Sequence, residues 1–233
     1  MGFILNIIAS LIAGALLLGI ISIVSKWARW VLTGVLGRIL NIDVECVFSN
    51  KTDAMADLQR EIKRAKTVRI LASRGNELQR EPFASIFHER PKERKVQVEI
   101  LLPRTTLLEG EYDWTAQRDC ELSEFDPAFG NSLLHKQIEI NADFLAPYIA
   151  SKAAELYRYN SPHIGRIILT DRFAYYTPYH SDWHGSDSRV LKYRRGGDTY
   201  GNLERLLKQL READPTADEK AERQSSHDAT RIE

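Results

Sequence analysis

Residues 42–72 read IDVECVFSNKTDAMADLQREIKRAKTVRILA. The first seven alternate apolar and polar side chains, the period of a half-buried strand. Asn50, followed three residues later by Asp53, reads as a helix N-cap and its partner. The helix it opens, over 51–66, sets Met55, Leu58, Ile62 and Ala65 on one face. The apolar run VRILA at 68–72 is that of a buried strand. Ser73-Arg74-Gly75-Asn76 then makes a turn, a helix is predicted over 77–89, and VQVEILL at 96–102 is a third strand closed by Pro103-Arg104. This β-α-β-α-β order predicts an α/β fold, with a mixed, mostly parallel sheet flanked by helices and right-handed crossovers.

Toward the C-terminus, 105–131 carries few signals beyond turns at Asp126-Pro127 and Gly130-Asn131. A helix is predicted over 132–149, and strands over 154–159, 165–170, 173–177 and 190–193. The two-residue link Asp171-Arg172 joins two of these as a hairpin. A last helix over 199–211 places Leu203, Leu206, Leu207 and Leu210 on one face. The domain so outlined runs over 41–212, and 213–233, almost devoid of large apolar residues, reads as a disordered tail.

Toward the N-terminus, 3–24 is FILNIIASLIAGALLLGIISIV, with no charged residue. At about 1.5 Å rise per residue it would cross the roughly 30 Å hydrocarbon core of a bilayer. The expectation is therefore a transmembrane helix over 1–25 and an amphipathic juxtamembrane helix over 26–40. Lys26, Arg29 and Arg38 follow the run and no basic residue precedes it, so the positive-inside rule predicts a single-pass inner (cytoplasmic) membrane protein, N-terminus outside and domain in the cytoplasm. Ala9, Ala13, Gly14 and Gly19 lie on small-residue faces that would let such helices associate, which makes a homo-oligomer and the lipid bilayer expected partners.

Formal net charge is zero, from 32 basic and 32 acidic residues, so no basic excess points to nucleic acid, which is an unlikely partner on this reading. The two cysteines, Cys46 and Cys120, are too few for a disulfide framework and are expected as free thiols. His180, Asp182 and His184 share a short loop, but their i, i+4 histidine spacing suits zinc on a helix, so neither a metal site nor a cofactor is expected.

The segment 161–179, SPHIGRIILTDRFAYYTPY, together with the order of elements, resembles one half of the phospholipase D superfamily. That family carries His-x-Lys-x4-Asp, in which the histidine attacks phosphorus and the lysine holds phosphate oxygens, and two motif copies make one active site. Here Arg166 and Asp171 keep the Lys-x4-Asp spacing. Ile164 stands at the histidine position and His163 is one residue out of register. Along a regular strand Ile164 and Arg166 share a face while His163 points away, and only a bulge, with Gly165 as its place, would bring His163 round. The resemblance thus implies a single degenerate half lacking the motif histidine, without catalytic activity.

A ligand is expected at the carboxyl edge of the sheet, where α/β folds bind them. Ser73, Arg74, Gly75 and Asn76 follow one strand and Arg104 another, and Arg166 would add a third guanidinium for an anionic, phosphate-containing ligand. The reading that unites these features is a membrane-anchored sensor or interaction module that binds such a ligand or a protein partner. By analogy with small bacterial proteins of that layout, it would serve as an antiviral or stress-defence effector. The alternatives are a dimeric phosphodiesterase, nuclease or phospholipase, using His163, Arg166 and Asp171, and a structural membrane scaffold.

Overall fold

A computed structural model of the chain describes residues 43–80, 83–88, 96–124, 126–179 and 188–214, with residues 7, 10–17, 19, 25, 35 and 37 before them. The strands are β1 (Val44–Phe48), β2 (Thr67–Leu71), β3 (Gln97–Pro103), β4 (Glu155–Tyr159), β5 (Gly165–Thr170), β6 (Phe173–Pro178) and β7 (Val190–Arg194). The helices of the domain are α1 (Lys51–Arg64), α2 (Ala84–His88), α3 (Trp114–Ser123), α4 (Leu133–Ala150) and α5 (Asp198–Glu212). Short 3-10 helices lie at Asn76–Gln79 and Pro127–Phe129.

All seven strands form one sheet in the order β1-β7-β6-β5-β2-β3-β4. Only β2–β3 and β3–β4 pair in parallel, whereas β1–β7, β7–β6, β6–β5 and β5–β2 are antiparallel. The expectation of a mostly parallel sheet is therefore corrected. Its physical source is the placement of β1: instead of neighbouring β2 across the α1 crossover, it runs to the far edge and pairs with β7, 142 residues away by the Phe48–Val190 register. The tight link at Asp171-Arg172 makes the β5–β6 hairpin in regular register.

Both faces of the sheet are covered, as alternate strand residues require. Val68, Ile70, Val98, Ile100 and Ile168 face the layer holding α1 and α4. Leu71, Leu101, Ile167 and Leu169 face α5 through Tyr200 and Leu207. Asn50 caps α1 by accepting from the Asp53 N–H at 2.9 Å. Asp113 caps α3 in the same way through Ala116 at 2.7 Å, in the region whose sequence carries little periodic signal. The helix expected over 77–89 is instead a 3-10 turn and the short α2. The sequence between them holds Pro82, a residue type that interrupts helices. Cys46 is buried, Cys120 is exposed, and neither forms a disulfide.

The expected transmembrane helix is also corrected. Among the described residues no helix is long and apolar enough to cross a membrane. Most of 1–6, 20–24 and 26–40, Ala9 among the small residues, and 215–233 fall outside the described residues; Ala13, Gly14 and Gly19 fall within them. The single-pass inner-membrane location, the bilayer as partner and self-association through the span all rested on that helix and go with it.

Candidate anion-binding site

β2 runs into Ser73-Arg74-Gly75-Asn76 at the edge of the sheet where β5, antiparallel to it, begins. Gly75 sits at φ +77°, in the left-handed region. A Cβ there would lie 3.1 Å from Leu102 Cδ2 and 3.2 Å from Leu78 Cδ1, so the turn needs glycine for both conformation and space. Asn141, buried on α4 among core residues, holds this turn from behind. Its Nδ2 lies 2.7 Å from each of the Arg74 carbonyl, Asn76 Oδ1 and the Gln137 carbonyl, so two hydrogens serve three acceptors. Its Oδ1 accepts from Gln79 Nε2 at 2.8 Å. Gln137 Oε1 in turn accepts from Arg74 Nη1 at 3.3 Å. The Arg74 guanidinium lies over the Phe129 ring, 5.3 Å from its centroid, and has no carboxylate partner among the described residues.

Arg166 enters from β5 on the face shared with Ile168. It is 4% exposed. Its Nη2 donates to Thr177 Oγ1 at 3.0 Å, across the register pair Arg166–Thr177, and its Nη1 lies 3.0 Å from Glu77 Oε2. Lys51 Nζ, from the first turn of α1, donates to the same Glu77 oxygen at 2.6 Å. Two cations thus share one carboxylate. Burial pushes the Glu77 carboxyl up, but Arg166 and Lys51 outweigh it and bring it down to about 2, so it stays ionised. Arg118, from α3, reaches the same space, paired with Glu121 at 2.8 Å and lying 6.0 Å from the Tyr179 ring centroid. Burial, then the Glu77 charge, pushes the Tyr179 phenol up to about 12, so it remains protonated.

These groups enclose a cavity of about 310 Å³. Its charged lining is Lys51, Arg74, Arg80, Arg118 and Arg166 against Glu77 alone, with Ser73, Asn76 and Thr177 as neutral polar groups and Leu122, Phe129 and Leu134 as an apolar wall. The volume lies at the lower end of the range for small-molecule pockets.

Of the residues expected to bind a ligand, Ser73, Arg74, Gly75, Asn76 and Arg166 line this cavity together. Arg104 does not: its Nη1 pairs with Glu111 Oε1 at 2.6 Å in the loop after β3. The phospholipase D-type trio is not brought to one place. His163 lies outside the cavity lining, its Nδ1 sharing a 2.9 Å hydrogen bond with Ser73 Oγ. Burial, then the Arg118 charge, brings the His163 imidazole down to about 4, so it is neutral at pH 7. No bulge turns it toward Arg166, because β5 and β6 keep regular register from Gly165–Pro178 onward. A Cβ at Gly165 would lie 2.7 Å from the Thr177 carbonyl, so this glycine serves close strand approach and not a bulge. Ile164 is exposed. Asp171 sits past the opposite end of β5, where its Oδ1 accepts from the Lys66 N–H at 2.7 Å. His180, Asp182 and His184 fall outside the described residues.

Lys51, Glu77, Arg80 and Arg118 are the site residues that sequence reasoning missed. One signal was present: a lysine at the first position of a helix opposes the helix dipole, which favours acids there, so Lys51 needs a reason elsewhere. Arg118 sits on a helix with little amphipathic pattern, and no local signal marks it.

No family model matches the chain, and no curated protein matches it. Among solved structures it is similar to TrmBL2, an archaeal chromatin protein described as showing a novel mode of DNA binding, at 10% identity and a TM-score of 0.45. The match covers 81% of this chain and 60% of that one. At this TM-score the likeness carries nothing over to this chain. The three functions expected from sequence are corrected together. The membrane-anchored sensor and the membrane scaffold need a spanning helix, which the described residues do not supply. The phosphodiesterase needs His163, Arg166 and Asp171 at one site, and they lie apart.

Proposed function

We propose that this domain binds a small anionic, phosphate-bearing molecule in the cavity between Arg74, Arg118 and Arg166. The observation that carries the reading is the charge imbalance around a partly open cleft: among the described residues five basic side chains line it and one carboxylate does. The most deeply placed cation, Arg166, shares Glu77, its one carboxylate partner among the described residues, with Lys51. A buried cation with less than a full counter-charge is costly, and a bound anion relieves that cost. Guanidinium groups in a fixed frame suit phosphate oxygens, and Asn141 and Gln137 supply the frame for Arg74.

The test is calorimetric titration of the full-length protein with inorganic phosphate, repeated on Arg166→Met, a change that keeps an unbranched side chain of similar length. Saturable binding at one site is expected, weakened by at least tenfold in the variant. Binding that is absent, or that is indifferent to Arg166, overturns the reading.

A further inference from the structure

The charges around the cavity specify more than the sign of the ligand. Resting on the reading above, we propose that the site takes the dianion of a phosphate monoester, in preference to a phosphodiester or any other monoanion. The argument is a count of charges that have no partner. Arg118 is matched by Glu121 at 2.8 Å. Arg80 is exposed and screened by solvent. That leaves Arg166, Lys51 and Arg74 as the partly buried cations, and Glu77, ionised throughout the physiological range, as the one such anion among the described residues. Three positive charges against one negative leave an excess of two. A monoanion leaves one of these unmatched in a partly desolvated space, whereas a dianion matches both.

The neutral groups agree with a terminal phosphate. Ser73, Asn76 and Thr177 line the same space, and the Tyr179 phenol is held protonated. A monoester offers three unsubstituted oxygens to such groups, and a diester offers two. The apolar wall of Leu122, Phe129 and Leu134 is where the ester's organic part would rest. Glu77 is then the selectivity element: by neutralising one cation it prevents an excess of three, which would favour more highly charged phosphates.

A matched pair of probes tests this on the full-length protein. Phenyl phosphate is a dianion at about pH 7.5, and methyl phenyl phosphate carries the same ring with a single charge. Calorimetric titration is expected to show phenyl phosphate binding about tenfold more tightly or better. Lowering the pH to about 5.5 protonates much of the monoester, whose second pKa is about 6, and its affinity should fall about fourfold. Over that interval Glu77 at about 2, His163 at about 4 and Tyr179 at about 12 keep their protonation states, and Glu121 is held below its ordinary range by Arg118. Sulfate, a dianion at both pH values, should bind without the fourfold loss. Equal affinity for the two esters, or a loss for sulfate as large as that for phenyl phosphate, overturns the preference while leaving an anion site in place. Binding of none of the three overturns the anion site itself.

Discussion

Two arginine-rich clefts among the described residues are of nearly equal size, and they differ in which sign of charge is buried. The second, about 320 Å³, lies on the other face of the sheet against α5 and is lined by Arg69, Glu99, Glu204, Arg205, Lys208 and Arg211, with Gly201. There the buried group is an acid, Glu99, with a side chain 4% exposed. Arg69 Nε approaches it at 3.2 Å and Arg211 Nη1 at 3.5 Å, while Arg69 Nη1 also reaches Glu204 at 3.1 Å. The surrounding cations are the more exposed partners and can turn to water. In the first cleft the buried group is the cation Arg166, and the acid serving it is divided with Lys51. A cluster of arginines around a buried carboxylate is a closed ion-pair network. A cluster around a buried arginine is open to one more anion. Counting arginines alone would have treated the two clefts as equals.

The largest effect that separates them is on stability. Arg69→Ala takes the nearest cation from buried Glu99 and leaves it with Arg211 and the Gln97 amide. Breaking a buried pair from one side is expected to cost about 3 kcal/mol, read by urea denaturation, with phosphate affinity unchanged. If phosphate binding falls while stability holds, the two clefts have been assigned the wrong way round.

Glu77 gives the next effect, through pH. Its folded-state value of about 2 lies below its ordinary 4.5, so its contribution is fully present above about pH 4.5 and is lost as pH falls toward 2. Discounted for its partial exposure, that contribution is about 2 kcal/mol. Glu77→Gln should therefore be less stable than the parent by about this much at neutral pH, with the difference shrinking between about pH 4.5 and pH 2. A difference that stays constant through that window would mean that Glu77 acts by packing and not by charge.

Arg74→Ala should show the reverse of Arg69→Ala. Arg74 is half-buried and no acid depends on it. Its loss should weaken phosphate binding about tenfold, near 1.5 kcal/mol, while stability changes by no more than about 0.5 kcal/mol. A stability loss as large as that of Arg69→Ala would make it a structural residue and take it out of the site.

The contrast between the clefts also marks what a reader of the sequence could see. Every strand was legible, because alternation and short apolar runs are local signals: 96–102 was expected where β3 is Gln97–Pro103, and 190–193 where β7 is Val190–Arg194. Strand direction was less legible. The hairpin at Asp171-Arg172 follows from its two-residue link, but nothing near β1 announces that it pairs with β7 and not β2. The Ser73–Asn76 turn and Arg166 could be named from sequence because each sits at a strand end. Lys51, Glu77 and Arg118 were missed: Lys51 and Arg118 come from two other helices, and their meeting beside Glu77, next in the chain to Asn76, is a product of the fold. Arg104 shows the opposite error: its place after β3 suggested the site, and Glu111, seven residues on, claims it instead. The long apolar run carries the strongest local signals for a span, length and absence of charge, yet among the described residues no helix is long and apolar enough to cross a membrane.

The smallest effect concerns the rim. Arg80 lines the same cavity as Arg74 and Arg166 but is exposed, so its charge acts through water. An exposed charge of this kind contributes about 0.5 kcal/mol, a change of roughly twofold in affinity for Arg80→Ala. Because it acts at long range, its effect should vanish when salt is raised to about 0.5 M, where charges a few ångströms apart in solvent are screened. The effect of Arg74→Ala should largely survive the same salt, since that guanidinium is held by Gln137 and shielded by Phe129. Titrations of the two variants at low and high salt thus distinguish general attraction at the mouth from direct contact inside. If both effects vanish together, the first cleft attracts anions without holding one, and the distinction between an open arginine cluster and a closed one loses its functional meaning.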